Sequence, residues 1–170
     1  MTPEAQELER ALHESTGTVT EFLEALSGEP VDAYKIRQHR IAAGPTNPLG
    51  VPEGHTLTRR AVILRGRLTE RPFVYAESTI AGDRLPAGVY EKLGRSNAPI
   101  GRVLIEHHVS IRREALGQPR EAPGEVDRAI DAHIGASSFS RAYRIVVDGR
   151  PAIAIDEWFL PPTHEALRAR

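Results

Sequence analysis

The chain has 170 residues, 22 basic and 23 acidic side chains, a formal net charge of -1 and no cysteine. That length suits one domain with a real core, and a balanced charge gives no electrostatic case for a nucleic-acid partner. Disulfides and thiolate metal sites are excluded, no run approaches the ~18 apolar residues of a membrane span, and the charged start MTPEAQELERALHES is no signal peptide, so a soluble cytoplasmic protein is expected.

Residues 3–14 are predicted as a first helix: Pro3 suits its first turn, and Leu8 and Leu12 recur at helical spacing. Thr18 and Glu21 form a capping box opening a second helix, with Phe22, Leu23 and Leu26 on one side and Gly28 at its end. Residues 31–42 are expected as a strand with Tyr34 and Ile36 inward, followed by a Pro/Gly loop from Gly44 to Gly54. Residues 57–68, LTRRAVILRGRL, alternate as a strand. Arg60, Val62, Leu64 and Leu68 share one face, and Arg59, Ala61, Ile63, Arg65 and Arg67 the other. Arg60 thus lies on the more apolar face, either as a stem snorkelling to the rim or as a guanidinium fork for a carboxylate.

A strand over 73–80 places Val74, Ala76, Ser78 and Ile80 together, with Glu77 opposite. A short helix from Pro86 to Leu93 ends at Gly94. Residues 102–115 read as a long strand with Val103, Ile105, His107, Val109 and Ile111 on one face, His107 there being a core histidine rather than a catalytic one. A helix is expected over 123–134, striped by Val126, Ile130 and Ile134. Strand 139–148 then pairs with 151–160 through Asp148-Gly149, a two-residue turn whose members tolerate positive φ.

In that last strand Ile153, Ile155, Glu157 and Phe159 share a face, opposite Ala152, Ala154, Asp156 and Trp158. Glu157 is the polar exception on an apolar face. It must find a partner or change its pKa, which makes it the best single candidate for chemistry; the plainer alternative is a salt-bridged glutamate at a strand end. The whole order gives an α+β class with a mainly antiparallel sheet covered by helices. There is no phosphate loop, nucleotide fingerprint, nucleophile elbow or HExxH, and adjacent His107 and His108 would point to opposite strand faces, so no metal site is expected.

Five stretches in order, RAVIL at 60–64, FVYAESTI at 73–80, EKLG at 91–94, APIGRVL at 98–104 and DGRPAIAIDEWFLP at 148–161, resemble the chorismate pyruvate-lyase (4-hydroxybenzoate synthase) family. The likeness runs from about residue 17 to 162. It implies a six-stranded, mainly antiparallel sheet with a small cavity closed by helical flaps, and a reaction that needs no cofactor and no metal. By position, Arg60 would bind the ring carboxylate, backbone around Val19 and Ile100 would contact the same end, and Glu157 would face the ring hydroxyl. These are the two polar exceptions already found on apolar faces. The implied partner is a small carboxylated ring, chorismate or similar, bound by a monomer or homodimer, without nucleic acid or membrane. Glu157 would take the C4 proton or orient the hydroxyl, with its pKa raised by an apolar cavity. A second cation is expected for the pyruvyl carboxylate, with Arg102, Arg141 and Arg144 as unranked candidates. Ser96-Asn97-Ala98 lengthens the turn before Pro99, Ile100 replaces the usual Leu, and Gln118 to His133 is longer and more charged than the family pattern. Two alternatives accompany this reading: a non-catalytic effector-binding module of the same fold superfamily, and a related enzyme acting on another small cyclic acid.

Overall fold

The computed structural model describes residues 2–119, 128–137 and 139–169. Two helices come first, α1 (Pro3–Glu14) and α2 (Val19–Ser27). Three strands follow, β1 (Val31–Ala42), β2 (Thr56–Gly66) and β3 (Pro72–Ile80). A 3₁₀ turn at Gly82–Arg84 leads to α3 (Ala87–Arg95) and α4 (Ile100–Glu106). The chain closes with β4 (Ile111–Gly117), α5 (Arg128–Gly135), β5 (Phe139–Val147), β6 (Arg150–Phe159) and α6 (Pro161–Arg168).

The six strands form one sheet in the order β1-β2-β3-β6-β5-β4, with every pairing antiparallel. This is the expected α+β architecture. The hairpin between β5 and β6 turns at Asp148 (φ 50°) and Gly149 (φ 76°), the positive-φ pair that a right-twisted two-residue hairpin requires. The capping box is also present: Glu21 N–H donates to Thr18 Oγ1 at 3.1 Å, and Thr18 N–H donates to Glu21 Oε2 at 2.7 Å. Such a cap is worth about 1 kcal/mol. It fixes where α2 begins, and that position matters for the site.

Two apolar clusters occupy one face of the sheet. The first joins Leu8, Leu12 and Leu23 of α1 and α2 to Val62, Leu64, Val74 and Phe159. The second joins Val89, Leu93, Val103 and Leu104 of α3 and α4 to Ile145, Ile153 and Ile155. The helices therefore split into two groups over the same face, and the gap between them is where a cavity forms. On the other face Ile130 of α5 packs with Tyr75 and Trp158.

Four expectations need correction. Residues 102–115 are not one strand: α4 occupies 100–106, His107 caps it, His108 turns the chain at φ 52°, and only then does β4 begin. Ile100, Val103 and Leu104 recur at helical spacing and are buried, whereas Ile105, assigned to the core side by alternation, is 55% exposed. The two histidines are accordingly not on opposite faces of a strand. In β1 the inward residues are Val31 and Ala33; Tyr34 and Ile36 face outward, and Tyr34 carries the Arg65 guanidinium 4.3 Å above its ring. An edge strand with a register shift between Lys35 and Arg37 does not hold one alternation throughout. Leu68 lies beyond the end of β2 and is exposed, so it does not share the Arg60 face. Finally, α6 was not expected. It is seated by Thr163 Oγ1, which donates to the Phe73 carbonyl at 2.6 Å, and by Leu160 N–H, which donates to the same oxygen at 2.8 Å. The helix expected over 123–134 is present from Arg128, and Val126 lies outside the described residues.

Candidate active site

A cavity of about 50 Å³ opens between the two helix groups and the sheet. Arg60, Val19, Ile100 and Glu157, the four residues singled out from the sequence, all line it. Cross-strand register explains how distant positions meet. Arg60 on β2 lies opposite Ser78 on β3, Ser78 opposite Ile155 on β6, and Ile155 opposite Tyr143 on β5. One row further along, Val62 is opposite Ala76, Ala76 opposite Glu157, and Glu157 opposite Arg141. Directly opposed residues point to the same face, so these two rows form the floor.

Arg60 is 1% exposed, the largest fully buried side chain described. Its Nη2 donates to the Ala98 carbonyl at 2.9 Å, while Nε is buried without a partner among the described residues. No carboxylate pairs with it there. Burial alone lowers its pKa to about 10. A buried cation with donors to spare is costly unless an anion completes it. Above it, the N-termini of α2 and α4 converge, bringing Val19 and Ile100 to the same end. The first N–H groups of a helix lack intrahelical acceptors and favour negative charge. The two helices touch: a Cβ added at Gly101 would lie 2.7 Å from Thr18 Cγ2. Arg102 Nη2 reaches Glu24 Oε1 at 3.2 Å across the same seam.

The other pole holds Glu157, 2% exposed. Arg141 Nε donates to Oε2 at 2.7 Å and Tyr143 Oη donates to Oε1 at 3.0 Å. Glu157 has therefore found partners, as the plainer expectation of a salt-bridged glutamate has it; it lies two residues before the end of β6, flanked on both sides by paired strands. Burial opposes the Arg141 charge, but Glu157 and then the Tyr143 oxygen outweigh it and hold its pKa above the ordinary arginine value. Burial first, then the Glu157 charge, pushes the Tyr143 hydroxyl well above its ordinary range. A carboxylate offers about four lone-pair sites, so two donors leave Glu157 able to accept from a ligand.

Of the candidate second cations, only Arg141 is near this pole. Arg102 sits on the outer seam with Glu24, and Arg144 points to the opposite face, held by Glu114 and by the Pro48 carbonyl at 2.9 Å. Sequence reasoning overlooked Tyr143 and Arg113, both of which line the cavity. The signal for Arg113 was its parity with Val109 and Ile111, obscured by the charged run Arg112-Arg113-Glu114. Among the described residues, no three His, Asp or Glu side chains are grouped to hold a metal ion, and no helix is long and apolar enough to cross a membrane.

The site joins a buried cation at one end to a hydrogen-bonded carboxylate at the other. The family described as Chorismate pyruvate-lyase Rv2949c-like matches residues 14–167, which includes every element lining the cavity. The chain belongs to that family. Within it, chorismate pyruvate-lyase of Mycobacterium tuberculosis (strain CDC 1551 / Oshkosh) is 30% identical over 156 residues, covering 89% of this chain and 78% of the relative. Its counterpart in Mycobacterium leprae (strain TN) is 27% identical over 157 residues, covering 89% and 73%. Among solved structures, PhnF from Mycobacterium smegmatis superimposes with a TM-score of 0.55 at 13% identity, over 88% of this chain and 66% of that one. The C-terminal domain of the histidine utilization repressor from Pseudomonas syringae pv. tomato str. DC3000 gives 0.54 at 11% identity, over 79% and 94%. At such identities these regulators share the fold and carry nothing about activity.

Proposed function

We propose that this family member is a chorismate pyruvate-lyase, acting as a single domain that eliminates pyruvate from chorismate to leave 4-hydroxybenzoate. The observation that carries the reading is Arg60: a fully buried guanidinium that has, among the described residues, an unpartnered Nε and no carboxylate beside it, with two helix N-termini at the same end of a mainly apolar cavity. Such a site suits the carboxylate of a small ring. In chorismate the ring carboxylate would lie on Arg60, and the C4 hydroxyl would face Glu157.

The reaction then asks little of the protein. The C4 proton is lost, the C3–O bond breaks, enolpyruvate leaves and takes up a proton to become pyruvate, and the ring becomes aromatic with its C4 oxygen retained. Aromatisation favours the step, so fixing the ring supplies much of the rate. Arg60 anchors the anion. Glu157, steadied by Arg141 and Tyr143, accepts the ring hydroxyl beside the C4–H that is lost. Van der Waals walls from Val62, Ile145 and Ile155 keep water from the ring. None of these steps draws on a cofactor.

Incubation of the protein with chorismate, with pyruvate and 4-hydroxybenzoate followed together, tests the proposal. Equimolar release of both is the expected result. Tight binding of 4-hydroxybenzoate without turnover of chorismate would instead indicate an effector-binding module. No response to either compound would point to a different cyclic acid.

A further inference from the structure

We propose that Arg113 is the second anion-binding residue of this site and takes the enolpyruvyl carboxylate of the substrate. The assignment rests on the chorismate reading above for the identity of the ligand, but the geometry stands on its own. Arg113 on β4 lies opposite Ile145 on β5, and Ile145 opposite Ile153 on β6, so its side chain shares the cavity face. Arg60 and Arg113 sit on β2 and β4, four strands apart in the sheet order. That is ~19 Å between backbones at ordinary strand spacing, a span that two extended arginines and one dicarboxylated ring would fill. In strand order β6, which carries Glu157, is midway between them, while along the strands the Arg60 row lies between the rows of Glu157 and Arg113.

Charge accounting singles out Arg113. Arg141 is committed to Glu157, Arg102 to Glu24, and both Arg112 and Arg144 to Glu114. The Arg113 side chain makes no ion pair or hydrogen bond among the described residues. It nonetheless lines not only the cavity beside Arg60 and Glu157 but also two neighbouring recesses, of about 190 and 450 Å³, that it shares with Tyr143. Both recesses are also walled by Leu12 and His13 of α1 and by Arg141. The three spaces meet at Arg113, where the site passes from its apolar interior to the surface. A carboxylate attached to the ring through an ether at C3 emerges next to the C4 hydroxyl, on the Glu157 side. Arg113 is the cation there whose side chain is not already paired. The same position lets it guide the pyruvate anion outward once the C3–O bond has broken.

The test compares a monocarboxylate with a dicarboxylate. Binding of 4-hydroxybenzoate and of 3-(carboxymethoxy)-4-hydroxybenzoate is measured by calorimetry for the wild type, Arg113→Ala and Arg113→Lys. The expected result is a tenfold or greater loss of dicarboxylate affinity in Arg113→Ala, partial recovery in Arg113→Lys, and 4-hydroxybenzoate affinity within twofold of wild type throughout. Because Arg113 is exposed, the variants should fold. Unchanged dicarboxylate affinity in Arg113→Ala, or equal loss for both ligands, would overturn the assignment. Turnover of chorismate by the wild type is scored separately. If turnover is absent while the affinity pattern holds, the lyase reading fails and Arg113 keeps its role toward a dianion.

Discussion

At the scale of single residues, Arg60 sets stability against function. Its charge is buried with one hydrogen bond among the described residues, to the Ala98 carbonyl. An apolar side chain of similar volume removes the desolvation cost, several kcal/mol for a buried ion, and forfeits that charged-donor bond, worth about 1.5–3 kcal/mol. Arg60→Met is therefore expected to unfold at or above the wild-type temperature in the absence of ligand, yet to bind 4-hydroxybenzoate at least ~100-fold more weakly, the scale of a lost buried charge pair. Thermal melts alongside calorimetry check both halves; a destabilised variant would mean that the guanidinium serves the fold. Glu157 and Asp156 separate by parity alone. Glu157→Gln keeps the shape but leaves Arg141 without its counter-charge and weakens the acceptor for the ring hydroxyl, so turnover should fall ~10²-fold or more with product affinity within a few-fold. Asp156 lies on the opposite face, across from Glu77 and Ala142, and Asp156→Asn should retain most activity. Near-normal turnover in Glu157→Gln would reduce that residue to a wall of the pocket.

At the scale of elements, the junction of α2 and β1 with the turn between β2 and β3 depends on Glu29. Its carboxylate, 8% exposed, accepts from Leu68 N–H at 2.7 Å, Thr69 N–H at 3.0 Å and the Thr69 hydroxyl. The Thr69 hydroxyl foremost, with the two N–H groups adding to it against the effect of burial, lowers its pKa below 4.5. A carboxylate with a depressed folded-state pKa stabilises the fold above its unfolded pKa, and that contribution is lost as pH falls through the folded value. Glu29→Gln should cost about 1–3 kcal/mol at neutral pH, and the gap to wild type should narrow below pH 4.5. Denaturant titrations at pH 7 and below pH 4 measure it; a gap that does not change with pH would rule out the charged form as the source. Gly66 belongs to the same junction, since a Cβ there would lie 2.2 Å from Glu29 Oε1.

At the scale of the whole molecule, the site exists only where two helix groups, α1 with α2 and α3 with α4, separated in the chain by three strands, close over one sheet face. Gly101 and Thr18 are the point of contact. Gly101→Ala places a methyl group against Thr18 and should part α2 from α4, with a tenfold or larger loss of 4-hydroxybenzoate affinity and little change in melting temperature. Unaltered affinity would show that Thr18 yields without opening the cavity. The Arg102–Glu24 pair spans the same seam but is about one third exposed on each side, and such pairs contribute less than ~1 kcal/mol.

What the sequence determined by itself is what depends on near neighbours. The capping box at Thr18, the Asp148-Gly149 hairpin and the two-residue period of β2, β3 and β6 are local, and they sufficed to put Arg60 and Glu157 on cavity-facing sides of their strands. The same logic failed at 102–115, where an odd-numbered apolar alternation and a helical stripe coincide over Val103 to Ile111; only packing of Val103 and Leu104 against α3 and the sheet decided for a helix. Tertiary structure alone decided the partners. That Arg141 neutralises Glu157 and that, among the described residues, Arg60 has no carboxylate beside it and Arg113 is left unpaired at the mouth of the site follow from the strand order β2-β3-β6-β5-β4. Strand order is set by the closing of long loops around a shared core, and no local periodicity encodes it.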